Sequence, residues 1–109
     1  MEMKDRVKTL LGIEDGEQDA VLDIIIENIE NHLLHKLKKS DDSIETIPSD
    51  LNYIIVEIAV KRFNRLGSEG YQSESVEGHS VTFAEMDEYF APYSDVIDDV
   101  TGRGRVRFI

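Results

Sequence analysis

The sequence contains no cysteine in 109 residues. A disulfide framework and a thiolate zinc site are therefore both excluded, and the composition fits a reducing compartment. Long apolar runs are also missing. The longest, Val21 to Ile26, is interrupted by Asp23 and falls far short of the roughly 18 apolar residues that a membrane span needs. The first ten residues lack the apolar core of a secretory signal. We expect one domain and no membrane association.

Basic residues are scarce, since 12 Lys and Arg face 23 Asp and Glu, which gives a net charge of −11. Three of the twelve, Arg103, Arg105 and Arg107, lie in the last seven positions, where no acid occurs. Residues 1–102 then hold nine basic and 23 acidic residues, a net charge of −14 against +3 for the tail. A body this acidic repels phosphate, which argues against a protein that wraps DNA or RNA. The basic tail has the sign that an acidic partner attracts.

Apolar residues that recur every three or four positions predict a helix over residues 2–11 and a second over about 17–39. Gly12 is expected to cap the first helix at its C-terminus. Asp15, with Gln18 three residues on, is expected to cap the second at its N-terminus. The first helix should turn one apolar face to the core, formed by Met3, Val7, Leu10 and Leu11. The stripe of the second consists of Leu22, Ile25, Ile26, Ile29, Leu33 and Leu37.

Two further helices are predicted. The third runs from near Ser49 to Leu66 and is apolar around most of its circumference, which is typical of a buried helix. We place it at the centre of the bundle. The fourth covers residues 84–100, with Pro92 breaking or kinking it. Its buried face is expected to hold Met86, Tyr89, Phe90, Tyr93 and Ile97.

The remaining segments have few side chains that can pack. Residues 67–83 are rich in glycine and serine and are expected to form a projecting loop or β-hairpin, in which Val81 and Phe83 alternate as on a strand. Residues 101–109 are expected to form an extended basic tail, which leaves residues 1–100 as a single helical domain. The predicted fold is mainly α, a small bundle of about four helices with these two projections.

Patterns that would indicate catalysis or metal binding are weak. His32 and His35 are three residues apart on the second helix and could join His79 as metal ligands, but the spacing of known sites is missing. Two surface or half-buried histidines are the favoured interpretation. Asp15 opens a segment similar to a calcium loop, but the required glycine and final glutamate are absent. No nucleophile elbow and no phosphate loop occurs. We therefore expect no enzyme, no metal and no cofactor.

Two blocks of the chain resemble a known family. They are MKDRVKTLLGIEDGEQDAVLDIIIENIENHLLHKL near the N-terminus and IPSDLNYIIVEIAVKRFNRLGSEGYQSESVEGHSVTF in the centre. Both are similar to head–tail connector (adaptor) proteins of long-tailed bacteriophages and related prophages. The resemblance covers residues 1 to about 90, and the central block is its most specific part. The end of the chain, APYSDVIDDVTGRGRVRFI, matches less clearly.

The resemblance implies a structural role in the virion neck, without catalysis and without a cofactor. Such proteins assemble as a ring below the portal protein, with the portal's twelve-fold symmetry. The ring extends the DNA channel, through which DNA only passes, and offers a platform to a stopper or tail-completion protein. The isolated subunit, made in the bacterial host cytoplasm, can be monomeric before it docks.

Interfaces are expected where the chain packs least within its own subunit. The expected interface residues are Tyr71, Ser73, Glu74, Ser75, Val76, Glu77, Gly78, His79, Arg103, Arg105, Arg107 and Phe108. One alternative is a small acidic regulatory binding protein, such as an inhibitor that mimics nucleic acid or an antitoxin-like module. Another is a metal-dependent enzyme built on His32 and His35.

Overall fold

The computed structural model describes residues 2–68 and 83–101. In these ranges five α-helices follow one another: α1 (Met3–Leu11), α2 (Asp19–Ser40), α3 (Asn52–Ser68), α4 (Phe83–Phe90) and α5 (Ser94–Thr101). Two 3-10 turns, one before α3 and one between α4 and α5, are Ser49–Leu51 and Ala91–Tyr93. The described residues contain no strand, and the prediction of a mainly helical bundle is confirmed.

Helix α1 ends at Gly12, as predicted. Gly12 has a φ of 74°, and its amide donates to the carbonyl oxygens of Lys8 and Thr9. Residues with a Cβ are strained in this left-handed region, so glycine suits the position. Val7 is fully buried, whereas Leu10 is 64% exposed. The placement of Leu10 on the core face was wrong, although Leu10 lies only about 60° around the helix from Val7.

The predicted N-terminal cap of α2 is also wrong. The Asp15 carboxylate accepts a hydrogen bond from the amide of Glu17 at 3.0 Å. This short-range turn, which Asp forms readily two residues on, engages the carboxylate before the helix begins at Asp19. Gln18 directly precedes the helix and makes no side-chain capping bond.

The core lies around α3, which packs against both α1 and α2. The predicted stripe of α2 is buried throughout, as is Val21. From α3 and the turn before it, the buried apolar residues are Leu51, Ile54, Ile55, Val56, Ile58, Ala59 and Leu66. The last two helices and their connection add Met86, Phe90, Tyr93 and Ile97. Full burial of one such large side chain contributes about 1.5–3 kcal/mol, so this cluster is the main source of stability.

One charged residue lies in this core. Arg62 is 5% exposed and shares a face of α3 with Ile58 and Leu66, which lie about one turn before and after it. Among the described residues no carboxylate pairs with its guanidinium. No fully buried side-chain nitrogen or oxygen in those residues lacks a hydrogen-bond partner. The alkyl stem therefore packs in the core while the guanidinium reaches the solvent edge.

The boundaries of the predicted projections differ from the structure. Helix α3 continues to Ser68, two residues past the predicted end, so Gly67 lies within the helix and not in a loop. Phe83, predicted on a strand, is the first residue of α4. Its ring packs against two histidines of α2, and the good helix formers that follow it favour a helix over a strand. The rest of the predicted loop, residues 69–82, and the tail residues 102–109 lie outside the described residues.

Pro92 interrupts the last predicted helix, as expected from its missing amide hydrogen and its clash with the preceding turn. Helix α4 ends at Phe90, and α5 begins at Ser94. The Ser94 hydroxyl donates to the carbonyl oxygen of Ala91 at 3.1 Å. The interruption leaves Phe90 and Ile97 both buried on the same core.

Candidate docking surface

A polar cluster of three residues fixes α4 on α2. Asp87 Oδ1 accepts a hydrogen bond from Lys36 Nζ at 2.7 Å and lies 2.9 Å from His32 Nε2. His32 and Lys36 are one turn apart on α2, so both reach the same carboxylate. These neighbours, Lys36 first, hold the pKa of Asp87 below its ordinary value. The cluster thus joins two helices that are far apart in sequence through an ionised carboxylate.

Aromatic rings surround the histidine of this cluster. The His32 imidazole stacks on Phe90, with centroids 5.3 Å apart, and meets the Phe83 ring at 4.7 Å. Phe83 also meets His35 edge-on at 5.8 Å. Phe83 nevertheless remains 55% exposed, so about half of this residue is available to another surface.

A groove of about 160 Å³ opens beside the cluster, at the C-terminal end of α2. Helices α2, α4 and α5 all contribute to it. Its apolar lining includes Phe83, Phe90 and Ile97, and its charged lining includes Lys36, Lys39, Asp87 and Asp98. The groove therefore has an apolar floor between charged walls.

A second polar cluster joins α3 to the turn between α4 and α5. The Tyr93 hydroxyl donates to Glu57 Oε1 at 2.6 Å, and Lys61 Nζ lies 3.4 Å from the same hydroxyl. Burial, together with the bond to Glu57, raises the pKa of Tyr93 to about 12. The hydroxyl therefore keeps its proton, and its hydrogen bond, throughout the neutral range.

Ion pairs at the surface position α1 on α2. Lys8 Nζ donates to Asp19 Oδ1 at 2.8 Å, and Lys4 Nζ lies 3.3 Å from Asp23 Oδ1. The hydrogen bond from Lys8 lowers the pKa of Asp19, and Asp23 raises the pKa of Lys4. Because solvent screens exposed pairs, they orient the helix more than they stabilise it.

The middle of α2 carries two glutamates, Glu27 and Glu30, that are not paired with a cation among the described residues. Burial and the nearby Glu27 raise the pKa of Glu30. This part of the surface adds to the repulsion within the acidic body.

The histidines do not form a metal centre in the described residues, where no group of three or more His, Asp and Glu side chains could hold an ion. His32 is engaged by Asp87 and His35 by the Phe83 ring. His79 lies outside the described residues. Within residues 2–68 and 83–101, no helix has both the length and the apolar character that crossing a bilayer requires.

All of the predicted interface residues lie outside the described residues: Tyr71, Ser73, Glu74, Ser75, Val76, Glu77, Gly78, His79, Arg103, Arg105, Arg107 and Phe108. The structure does describe where their segments attach. Phe83, which follows the first segment, lines the groove. Thr101, which precedes the second, donates its hydroxyl to the carbonyl oxygens of Ile97 and Asp98 at 3.3 and 3.2 Å. The first attachment point is thus part of the groove lining, and the second is bonded to the backbone of two lining residues, Ile97 and Asp98.

Sequence reasoning missed the contribution of Asp87 and Lys36. The four-residue spacing of His32 and Lys36 is visible, but nothing local indicates that a carboxylate 55 residues beyond His32 meets both. A signal for Phe83 was available, because a large aromatic residue directly before Ala-Glu-Met can anchor the start of a helix. The strand interpretation weighed its alternation with Val81 more heavily.

The fold and surface are those of a small helical protein that binds other chains, because its groove and exposed apolar side chains suit the docking of a partner. The profile of the phage gp6-like head-tail connector proteins matches residues 1–98. The protein therefore belongs to this family of structural phage-neck proteins, and the predicted resemblance is confirmed. No curated protein and no solved structure shows a significant match.

Proposed function

We propose that twelve copies of this protein form a ring that docks under the portal and links the DNA-filled head to a stopper or tail-completion protein. The observation that carries the proposal is the family match over residues 1–98. The isolated chain, made in the host cytoplasm, stays monomeric until it docks. No step of this function requires catalysis or a cofactor.

A ring requires two different surfaces on each copy, since one patch meets another patch on the neighbour. The described surface offers separable candidates. The groove lies at one end of α2, whereas the exposed Leu10 lies on α1, beside the other end. On α5, Val96 and Val100 lie four residues apart and are 36% and 39% exposed. Apolar side chains left in water in the single subunit favour burial against a partner.

Two further segments supply contacts in this proposal. Residues 71–79 and the tail, with Arg103, Arg105, Arg107 and Phe108, bind the portal or neighbouring copies. Ordering such segments costs conformational entropy, which the burial and hydrogen bonds gained on docking offset. The net charge of −14 over residues 1–102 suits a channel wall, because DNA that passes meets repulsion and no binding site.

The test replaces residues 73–79 by a Gly/Ser linker of equal length and measures binding to the purified portal of the same phage. Gly and Ser already make up four of residues 73–80, and a thermal melt of the linker variant checks that it is folded before its binding is compared. Binding should weaken by at least tenfold, or about 1.4 kcal/mol. The control is Asp42→Ser combined with Glu45→Ser, two exposed positions between α2 and α3.

The outcomes separate the two parts of the proposal. If the linker variant binds the portal as tightly as the natural chain, the segment is not an interface. If the natural chain itself fails to bind the portal, the connector function is wrong for this protein.

A further inference from the structure

The groove has the size and lining of a receptor for one aromatic side chain. Its volume is about 160 Å³, close to the roughly 150 Å³ of an apolar cavity that holds benzene. Phe90 and Ile97 in its lining are 1% and 6% exposed, and they belong to the packed core. Phe83 also belongs to the lining, and more than half of its surface is exposed. An added ring would bury this exposed surface against existing apolar neighbours.

The walls of the groove leave two charges unneutralised. Asp87 is already engaged by Lys36 and His32. Among the described residues, neither Lys39 on the α2 side nor Asp98 on the α5 side has an ion-pair partner. An occupant that adds a cation beside Asp98 gains a charge-assisted contact.

The sequence of the tail matches this lining. In an extended segment alternate side chains point to opposite sides, so Val106 and Phe108 share one side and Arg105 and Arg107 the other. Such a segment can present Phe108 to the apolar floor while an arginine reaches Asp98. The overall charges agree, because the tail carries +3 and the body −14.

Geometry favours the groove of another copy. The tail leaves α5 at Thr101, one turn beyond Ile97, so entering its own groove would require it to turn back along α5. Residues 102–109, when extended, reach at most about 28 Å beyond the helix, far enough to cross to a neighbour. We infer that the groove receives Phe108 and its flanking residues from a second copy of this chain, head to tail. The inference rests on the proposed ring, for which it supplies two unlike surfaces.

Cysteine cross-linking tests the contact, since the natural chain has no cysteine. Ser94→Cys places a thiol in the groove lining, at an exposed position, and Ile109→Cys places one beside Phe108. The two proteins, one enlarged by a tag, are mixed at about 1 mM, where weak contacts are populated, and then oxidised. The control pairs Ile109→Cys with Glu14→Cys, an exposed position beyond the other end of α2, about 30 Å away along that helix.

We expect the Ser94→Cys and Ile109→Cys mixture to yield at least tenfold more mixed dimer than the control, and Phe108→Ser in the tail protein to remove this excess. Thermal melts of each variant check that it is folded. A yield equal to the control overturns the inference. The inference is also overturned if a double variant, Ser94→Cys with Ile109→Cys, forms a disulfide within one chain while the mixture of single variants forms no mixed dimer. Portal binding by the natural chain, measured separately, shows whether the ring function survives such a result.

Discussion

At the residue scale, several polar side chains of this protein form hydrogen bonds and ion pairs that join one helix to another. Asp87 joins α4 to α2, and the Tyr93 hydroxyl joins the last helices to α3. Arg62 shows the limit of such pairing, because it is almost completely buried and no described carboxylate meets it. Its long alkyl stem makes that burial tolerable by leaving only the guanidinium at the solvent edge.

The Tyr93 hydrogen bond gives a prediction with a defined pH dependence. The folded pKa is raised from 10.0 to about 12, so the stability linked to this proton is complete below pH 10 and is lost as the pH rises towards 12. Tyr93→Phe should cost about 1 kcal/mol at neutral pH and flatten the decline above pH 10. Denaturant unfolding at several pH values measures both effects.

Tyr53→Phe is the matched control for that prediction. Tyr53 is 38% exposed, and its ring meets that of Tyr93 edge-on. It should leave both the neutral stability and the alkaline decline almost unchanged. An alkaline decline in Tyr93→Phe equal to that of the natural chain would contradict the assignment.

At the element scale, periodicity predicted the helices well, because burial of an apolar face is what selects them. The stripe of α2, the central position of α3 and the break at Pro92 all follow from side-chain spacing or from the chemistry of proline. The ends of the elements were harder. The Asp15 carboxylate could accept a hydrogen bond either in a helix cap or in the short turn that it forms with Glu17. Phe83 fits a strand pattern, and only its contact with α2 shows that it begins a helix.

The candidate docking surface was less predictable than the helices. The groove depends on three helices that meet far apart in sequence, and Asp87 reaches His32 across 55 residues. Local patterns contain no information on such a meeting. The first of the two segments that composition singled out is followed by Phe83 of the groove lining, and the docking of both segments stays a prediction.

The central position of α3 predicts a large cost for Ile58→Ala. Ile58 is fully buried, and removing its outer carbon atoms leaves a cavity that the surrounding helices fill only partly. The expected loss is about 3 kcal/mol. The control, Leu10→Ala on α1, removes atoms that are mostly in water and should change stability by less than about 0.5 kcal/mol. Urea unfolding of the two variants compares them, and equal losses would place the core elsewhere.

At the scale of the whole molecule, the net charge of −11 dominates. The described fold pairs some acids, such as Asp19 and Asp87, and leaves others without a cation, such as Glu27 and Glu30. Self-repulsion of this kind destabilises the compact state. It also gives an assembling protein a reason to bind a partner that carries positive charge.

Added salt should therefore stabilise the isolated protein. Raising NaCl from about 20 to about 200 mM shortens the screening length from roughly 20 to 7 Å and should raise the melting temperature by about 2–5 °C. Glu27→Gln combined with Glu30→Gln reduces the negative charge from −11 to −9 and should make the rise in melting temperature smaller. A melting temperature that falls with salt would mean that attractive pairs outweigh the repulsion.

Added salt should have the opposite effect on the packing of helix α1. Val7 is the only fully buried residue of α1. The ion pairs of Lys4 with Asp23 and of Lys8 with Asp19 join this helix to α2. The same screening that eases repulsion across the molecule weakens those pairs. We therefore expect that added salt, while it stabilises the bundle as a whole, accelerates amide exchange in residues 3–11 relative to the other helices.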